Sequence, residues 1–435
     1  MRTRVAPAVF GFAVVVGSSL VQSSAAAQAR PPRGQPVRAA RALRQPACTT
    51  KVARAPRLRG TQPSTVRFPG FPFDVVVAPH GQYAVASVAA SFGPRSSPGE
   101  LAVLRLGSGA PRLVRTFRLP RSLPPLGLAI SRNGRYLDVA ASGGTVSGGT
   151  AVLSLPALLA GRPHALLGIL RDGEFGAIEA TFSASGRFLF VSDEGSSVIS
   201  VFNLARALRA GFSAPGVAVG TVPLGFAVVG SALSPNGRLL YVTSEASRHN
   251  FNQGLLQVIS VARAERDPAA SVVTRVFAGC QPVRVTLSAH GSLAWVTARG
   301  SDALLAFSTA RLSRDPSRAL AAVVRVGPQP VGVLLIDHGR YALTANSARL
   351  TAPFKPQTVS VVSTAAALAG GPALVGTVPA GAFPRGFGYD PETCAILLTN
   401  FYSHTIEQFT DPTIAHGRCL ADPRQSNPRS HPRVR

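Results

Sequence analysis

The 435-residue sequence has few acidic residues: 19 Asp and Glu stand against 45 Lys and Arg, and the formal net charge is +26. The first acidic residue is Asp74, and Lys51 and Lys355 are the only lysines, so almost all of the positive charge is arginine. Such a balance favours contact with a polyanion. A solvated basic surface without a dedicated partner, arising from an arginine-rich coding bias, is the alternative.

Long apolar runs are also scarce, and the single candidate lies at the start of the chain. Arg2 and Arg4 precede a mostly apolar stretch, 5–21, and Ala27-Gln-Ala29 fits a signal-peptidase site. The stretch is too short for a typical membrane span of about 20 residues. We therefore predict a signal peptide over 1–29 and a secreted or cell-envelope protein, with a retained anchor as the alternative.

The sequence lacks the common motifs of catalysis and cofactor binding. It contains no Gly-x-Ser-x-Gly, phosphate-loop or dinucleotide fingerprint, and no Cys-x-x-Cys, His-Glu-x-x-His or calcium-loop pattern. His80, His290 and His338 each precede a hairpin glycine and are interpreted as turn residues. We predict no cofactor and no metal site.

One segment does recur along the chain, and "SPNGRLLYVTS" at 234–244 is its clearest copy. Consecutive copies are 48 to 54 residues apart when they are aligned at Gly81, Gly134, Gly186, Gly237, Gly291, Gly339 and Thr393. Each copy has a short apolar strand, a hairpin turn, a β-branched and aromatic strand, and usually two further strands. Four antiparallel strands in about 50 residues are typical of one propeller blade, so we predict an all-β, seven-bladed β-propeller.

The ring is expected to close through the N-terminal part of the chain. The seventh copy ends at Thr405-Ile-Glu-Gln-Phe409 without a fourth strand, whereas Thr65-Val-Arg-Phe68 is typical of the strand that ends the other units. Pairing the two would remove an open sheet edge. The predicted organisation is a signal peptide (1–29), a basic disordered arm (30–62), the propeller (63–410) and a basic tail (411–435).

These repeats resemble the YVTN-repeat, or YncE-like, β-propeller family over about residues 64 to 410. The resemblance rests on "SPNGRLLYVTSEAS", "SASGRFLFVSDEGSSVISVFNLA" and "VGPQPVGVLLIDHGRYALTANSA". Tyr241-Val-Thr243 carries the family motif, Phe190-Val-Ser192 and Trp295-Val-Thr297 are near variants, and most other copies depart from it. The resemblance implies an exported propeller with an undefined ligand; some relatives resemble DNA-binding proteins, and more distant ones resemble lactonases.

The four cysteines permit two disulfides. The predicted topology places Cys394 and the entry of the arm on one face and Cys280 on the other. Cys419 is therefore expected to pair with either Cys394 or Cys48, which leaves Cys280 without an evident partner.

Polar residues in the loops expected around the propeller axis are the candidate ligand-binding residues, because function concentrates on such loops. They are Asp172, Glu174, Asp193, Glu194, Glu245, His249, Asn346, Asn400 and His404. Their carboxylates would serve as hard oxygen donors in an axial ligand or cation pocket. Ordinary loop solvation and turn capping are the alternative.

Two functions follow from these features. The first is a monomeric, exported binding or scaffold protein that contacts an anionic polymer or nucleic acid through its basic arm and surface, with a small molecule possible at the axis. The alternative is a hydrolase of lactone-like or sugar-derived substrates, with His249 or His404 as general acid or base beside the acidic cluster.

Overall fold

The computed structural model describes residues 43–48, 52–58, 63–90, 99–107, 109–120, 123–143, 146–351 and 355–410. These residues form seven four-stranded antiparallel sheets, which confirms the predicted fold class. The predicted signal peptide and the tail after residue 410 lie outside the described residues. Within the described residues, no helix is long and apolar enough to cross a membrane.

The strands follow one another in chain order, and each blade runs from its inner to its outer strand. The N-terminal strand β1 spans Ser64–Arg67. Blade 1 contains β2 (Phe71–Val77), β3 (Tyr83–Ala89), β4 (Glu100–Arg105) and β5 (Arg112–Arg118). Blade 2 contains β6 (Pro125–Ile130), β7 (Tyr136–Gly143), β8 (Val146–Ser154) and β9 (Leu166–Leu170). Blade 3 contains β10 (Ala177–Phe182), β11 (Leu189–Asp193), β12 (Val198–Phe202) and β13 (Ala218–Pro223).

The remaining blades repeat this arrangement. Blade 4 contains β14 (Phe226–Leu233), β15 (Leu239–Ala246), β16 (Leu255–Ser260) and β17 (Val272–Phe277). Blade 5 contains β18 (Pro282–Leu287), β19 (Leu293–Ala298), β20 (Ala303–Ser308) and β21 (Leu320–Arg325). Blade 6 contains β22 (Pro330–Ile336), β23 (Tyr341–Asn346), β24 (Pro356–Ser363) and β25 (Leu374–Ala382). Blade 7 contains β26 (Pro384–Asp390), β27 (Ala395–Asn400), β28 (Thr405–Thr410) and β1.

Short helices connect the third and fourth strands of blades 2 to 6. They are α1 (Leu155–Leu159), α2 (Leu204–Ala210), α3 (Val261–Ala264), α4 (Thr309–Arg314) and α5 (Thr364–Leu368). Single 3-10 turns occupy Pro268–Ala270, Arg299–Ser301, Pro316–Arg318 and Asp337–Gly339. Because the strands alternate in direction, these helices lie on the same side as the hairpins between first and second strands. We call this side the hairpin face and the opposite side the upper face.

The recurring Ser-Pro-Asn-Gly motif forms the hairpin between the first two strands. In blade 4 the Ser234 hydroxyl accepts a hydrogen bond from Leu239 N at 2.9 Å and donates one to Asn236 Oδ1 at 2.8 Å. Gly237 has φ +71°, a conformation that glycine adopts without steric cost. The motif recurs because every blade must reverse its chain at the same place.

The last residue of the Tyr-Val-Thr motif joins neighbouring blades. Thr243 Oγ1 accepts from Gly230 N of its own blade at 3.0 Å and donates to Val283 O of the next blade at 2.7 Å. The same bond to the next inner strand is made by Thr297 to Val331, by Thr399 to Phe73 and by Ser87 to Leu126. The hydroxyl residue at the last position of the motif therefore has a structural role at four blade junctions.

Glycines let the inner strands approach one another closely at the axis. Gly127, Gly230 and Gly332 hold equivalent positions in blades 2, 4 and 6. A Cβ at each would lie within 3.0 Å of a backbone carbonyl oxygen of the next inner strand. Side chains larger than hydrogen are excluded there, so the spacing of these blades depends on the three glycines.

Strand β1 closes the ring as predicted. It pairs antiparallel with β28, from Ser64 opposite Gln408 to Arg67 opposite Thr405. The N-terminal strand thus supplies the outer strand of blade 7, and the innermost and outermost parts of that blade come from opposite ends of the propeller sequence.

The described parts of the arm differ from the disordered segment that the sequence predicted. The Ala53 amide donates to Val326 O, and Leu58 N and Thr377 N bond reciprocally with Thr377 O and Pro56 O, all at 2.9 Å. Composition and charge indicated disorder, but these backbone bonds attach residues 52–58 to the outer side of blades 5 and 6.

The expected cysteine pairing also needs correction. Cys48 forms a disulfide with Cys280, with Cα atoms 5.4 Å apart. Gln45 Oε1 accepts from Gly279 N at 3.1 Å, which shows that the arm reaches the upper-face loop of blade 5 rather than the face assumed from its point of entry. Cys394 is also disulfide-bonded, and the predicted pairing of Cys419 lies outside the described residues.

Thr243→Val tests the bond between blades. Valine keeps the branched shape, but it removes the donor to Val283 O and the acceptor for Gly230 N in a fully buried position. We expect the free energy of unfolding in denaturant titration to fall by about 1–3 kcal/mol. The exposed Thr116→Val in β5 is the control and should leave stability nearly unchanged. Equal stability of the two variants would contradict the proposed role of the hydroxyl.

Candidate functional site

The propeller axis is lined by one residue from each inner strand. Six of these residues are apolar and the seventh is an arginine: Phe73, Leu126, Ile178, Val229, Val283, Val331 and Arg385. The six apolar residues form a small cluster with Phe383. A single guanidinium therefore lies within an otherwise apolar ring.

The next residue of each inner strand is either a charged residue or a glycine. Asp74, Glu179 and Arg284 occupy this position in blades 1, 3 and 5, and glycine occupies it in the other four. Arg284 Nε lies 2.9 Å from Glu179 Oε2 in an ion pair, and Glu179 Oε1 accepts from Ser231 N at 3.3 Å. Burial raises the pKa of Glu179, and the charge of Arg284 opposes this rise.

Asp74 is held by backbone groups rather than by an arginine. Its Oδ2 accepts from Leu128 N of blade 2 and its Oδ1 from Val75 N, both at 2.9 Å. Burial raises the pKa of this carboxyl, while the Leu128 hydrogen bond and the charges of Arg284 and Arg385 lower it. Asp74 therefore links two blades and leaves Arg385 without a direct ion-pair contact to it.

A cavity of about 80 Å³ lies on the axis above the layer formed by Asp74, Glu179 and Arg284. Apolar residues form its floor, and charged residues from the upper-face loops and Arg385 form its walls. The charged lining residues are Glu194, Glu245, Arg299, Arg349 and Arg385. We call this cavity the axial pocket.

Arg299 and Glu245 form an ion pair in the axial pocket. Arg299 Nη2 donates to Glu245 Oε2 at 2.7 Å, and Arg299 is only 5% exposed. Its Nε and Nη1 are buried without a hydrogen-bond partner among the described residues. Burial raises the pKa of Glu245 and lowers that of Arg299, and the pairing of the two charges opposes both shifts. Glu245 therefore satisfies only part of this guanidinium.

Arg385, in the wall of the axial pocket, lies against aromatic rings. Its guanidinium carbon is 3.5 Å from the ring centroid of Phe73 and 5.2 Å from that of Phe383, which is cation–π geometry. Burial lowers the pKa of Arg385 well below its usual value, and the charges of Arg284 and Arg349 act in the same direction. The charges of Asp74 and Glu194 oppose this fall, but among the described residues no carboxylate lies within 4.0 Å of Arg385.

The structure brings two of the predicted residues, Glu194 and Glu245, into the axial pocket. Three others meet elsewhere, at the upper end of blade 3. Asp193 is 3% exposed and accepts from Ser200 Oγ at 2.5 Å. Burial raises its pKa to about 8, and the charges of Asp172 and Glu174 add to this rise.

The predicted residues of blades 6 and 7 make contacts within the protein. Asn346 Nδ2 donates to Thr358 Oγ1 at 3.0 Å and to Ser360 Oγ at 2.9 Å. Asn400 is fully buried, and its Nδ2 lies 3.3 Å from Thr405 Oγ1. His404 Nδ1 lies 2.8 Å from Gly70 O, and its ring centroid is 4.5 Å from that of Phe71. These side chains support the junction of strands and loops.

His249 lies away from the axis, in a larger cavity of about 620 Å³ on the outer side of blade 4. Leu224, Phe277 and Arg248 also line this cavity, and Gln45 of the arm borders it. The structure therefore does not bring His249 together with Glu194 and Glu245 in the axial pocket.

Sequence reasoning missed Arg299, Arg349 and Arg385 as site residues. Arg299 follows the second strand of blade 5 directly, so the loop criterion applied to the other candidates would have included it. Arg385 lies inside a strand, in "PRGF", and its position in the repeat is the only signal: six equivalent residues are apolar.

The hairpin face carries a second concentration of charge. Its exposed arginines come from the hairpins and the helical connections: Arg132, Arg135, Arg162, Arg187, Arg206, Arg209, Arg238, Arg263, Arg266, Arg311, Arg314, Arg318 and Arg340. The exposed or half-buried acidic residues described on this face are Glu265, Asp267, Asp315, Asp337 and Glu392, and Asp390 of the blade 7 hairpin is buried. Among the described residues, only Arg318 and Arg340 of this set lie within 4.0 Å of a carboxylate.

The raised pKa of Asp193 predicts a dependence of stability on pH. The folded protein keeps a proton on Asp193 up to about pH 8, whereas the unfolded chain releases it near 3.8. The contribution of this group to stability is therefore present at low pH and lost as pH rises from about 4 to about 8.

Asp193→Asn removes this titration with little change of shape. The unfolding free energy of the variant minus that of the wild type should increase with pH, by at most about 1.4 kcal/mol per unit. Denaturant titrations between pH 5 and pH 8 measure the difference, and the exposed Asp267→Asn serves as the control. A difference that stays constant over this range would show that Asp193 does not hold the proton.

No protein-family model and no curated protein matches the sequence. Among solved structures, hydrazine synthase of Kuenenia stuttgartiensis is similar to this chain, with a TM-score of 0.58 and 13% sequence identity. The match covers 81% of this chain and 99% of that chain. At this identity the likeness shows the β-propeller fold alone.

Proposed function

We propose that this chain is an exported binding propeller whose hairpin face contacts an anionic polymer. The observation that carries the proposal is the charge of that face, where thirteen exposed arginines stand against five exposed or half-buried acidic residues among the described residues. The binding surface is thus the rigid face of the propeller together with the flanking basic segments, and the contact is made with the charged backbone of the polymer.

The arrangement of the arginines supports this proposal. Arg135, Arg187 and Arg238 each follow the hairpin glycine of blades 2, 3 and 4, so they recur at equivalent positions around the face. Guanidinium groups donate fixed pairs of hydrogen bonds to phosphate and carboxylate oxygens. A polymer with regularly spaced anionic groups can therefore meet several of them at once, and release of its counterions drives binding.

Export and a monomeric state belong to the same proposal. The disulfide between Cys48 and Cys280 joins the arm to blade 5, and such bonds persist in oxidising compartments outside the cytosol. Strand β1 pairs with the edge strand β28, so a second copy is not required to complete blade 7.

We also propose that the chain is a divergent relative of the YVTN-repeat propellers. Support comes from Thr243 and Thr297, which end two copies of the strand motif and make the same bond to the next blade. This bond between neighbouring blades explains physically why threonine recurs in the motif.

The triple substitution Arg135→Gln, Arg187→Gln, Arg238→Gln tests the hairpin face. The probes are a duplex DNA oligomer and polyglutamate, and binding is measured by fluorescence anisotropy at several salt concentrations. We expect the affinity of the full chain for duplex DNA to fall steeply with salt, and the salt slope of the variant to be smaller by about 2 to 3.

The control removes the same charge elsewhere, through Arg118→Gln, Arg248→Gln, Arg325→Gln, all exposed and outside the hairpin face. Its salt slope should remain close to that of the wild type. Equal losses in the two triple variants would reject the hairpin face as the binding surface. Binding of neither probe, or binding that does not respond to salt, would reject the anionic-polymer proposal as a whole.

A further inference from the structure

The axial pocket has the properties of a second, separate site. It opens toward the upper face, whereas the arginines proposed to contact a polymer lie on the hairpin face. Its charged residues come from blades 3 to 7, so the site exists only when the ring is assembled. Binding there can be measured independently of any polymer.

Buried hydrogen-bond donors without acceptors are the first indication of a ligand. Arg299 Nε and Nη1 are such atoms among the described residues, and Arg299 is 5% exposed. A buried guanidinium that is only partly paired is costly, because its lost hydration is not replaced. A ligand that accepts hydrogen bonds from these atoms would remove that cost.

The balance of charge indicates the sign of the ligand. Three arginines and two glutamates line the axial pocket, and Arg299 with Glu245 form the one ion pair within 4.0 Å among these described residues. Arg385 rests on Phe73, and the nearby Asp74 directs its oxygens to the amides of Val75 and Leu128. The walls therefore carry excess positive charge above an apolar floor, which favours an anion.

The volume limits the size of the group that binds. A cavity of about 80 Å³ has room for about two to three water molecules, since one water occupies about 30 Å³ in the liquid. Ligand pockets for larger molecules usually measure about 300–1,000 Å³. The bound group is therefore of the size of a carboxylate, phosphate or sulfate, and any remainder of the ligand would extend toward the upper face.

We propose that the axial pocket binds the oxyanion group of a small ligand, with the guanidinium groups of Arg299, Arg349 and Arg385 as its donors. Glu245 holds Arg299 in place through Nη2 and leaves Nε and Nη1 for the anion. The aromatic rings of Phe73 and Phe383 lie against the guanidinium of Arg385. Carboxylate, phosphate and sulfate share the acceptor chemistry that arginine recognises in this way.

Titration of the full-length protein with acetate, inorganic phosphate and sulfate tests the proposal, at an ionic strength kept constant with sodium chloride. Binding to the folded protein alone raises the melting temperature in a saturable manner. We expect saturation with at least one of the three anions, and comparison of the three identifies the preferred oxyanion. Absence of saturable stabilisation by all three would overturn the proposal.

Arg349→Gln and Arg118→Gln form the matched pair for this titration. Arg349 lines the axial pocket at an exposed position, so its replacement spares the buried core, while Arg118 is exposed on the outer strand of blade 1. Loss of one charged donor should weaken the preferred anion about ten- to hundredfold. Arg118→Gln should bind it as the wild type does. An equal effect of both substitutions would show that the anion acts through general charge.

Glu245→Gln provides a test in the opposite direction. This substitution removes a negative charge from the wall and keeps an amide oxygen that can accept from Arg299. We expect the preferred anion to bind more tightly than it binds the wild type, because a competing anionic group is gone. Weaker or unchanged binding in a variant with wild-type circular dichroism would contradict the assignment of Arg299 as a donor to the anion.

Discussion

The close approach of the inner strands at the axis is the constraint on which this structure depends. At Gly127, Gly230 and Gly332 the carbonyl of the next inner strand occupies the space that a Cβ would need. The hydroxyls of Thr243 and Thr297 then bond the second strand of one blade to the inner strand of the next. Seven blades can meet this tightly only if the ring is complete, which makes closure by β1 part of the same requirement.

This packing also determines what the axis can hold. Where glycine does not occupy the position after the axial residue, Asp74, Glu179 and Arg284 do. Asp74 accepts hydrogen bonds from backbone amides and Glu179 forms an ion pair with Arg284, whose Nη1 has no hydrogen-bond partner among the described residues. Above these residues, Arg299 has two donors, Nε and Nη1, without a partner among the described residues, and Arg349 and Arg385 line the same pocket. The pocket is small because the strands converge beneath it.

Much of the fold could be predicted from the sequence, because each blade repeats a local pattern of strand, glycine hairpin and strand. The closing strand was visible for the same reason, since residues 65–68 match the strand that other units end with. The path of the arm could not be predicted, because the composition of a segment does not reveal backbone hydrogen bonds such as that between Ala53 and Val326. The pairing of Cys48 with Cys280 depends on that path.

The candidate site was predictable only in part. Glu194 and Glu245 end second strands, and topology alone places such residues near the axis. Asn346 and His404 occur in similar positions, yet they bond within their own region, since a polar residue at a strand end can cap the chain as readily as face a ligand. The convergence of Arg299, Arg349 and Arg385 is a property of the closed ring and has no counterpart in any single repeat.

The free energy of unfolding of Gly332→Ala tests the central claim most directly. Alanine suits a strand at least as well as glycine, so any loss must come from its contact with the Arg385 carbonyl of the next blade. The account predicts a loss of about 1–3 kcal/mol relative to the wild type. Gly107→Ala, which meets nothing within 4 Å, should be neutral. If Gly332→Ala were as stable as Gly107→Ala, the inner strands would not be packed as closely as this structure requires.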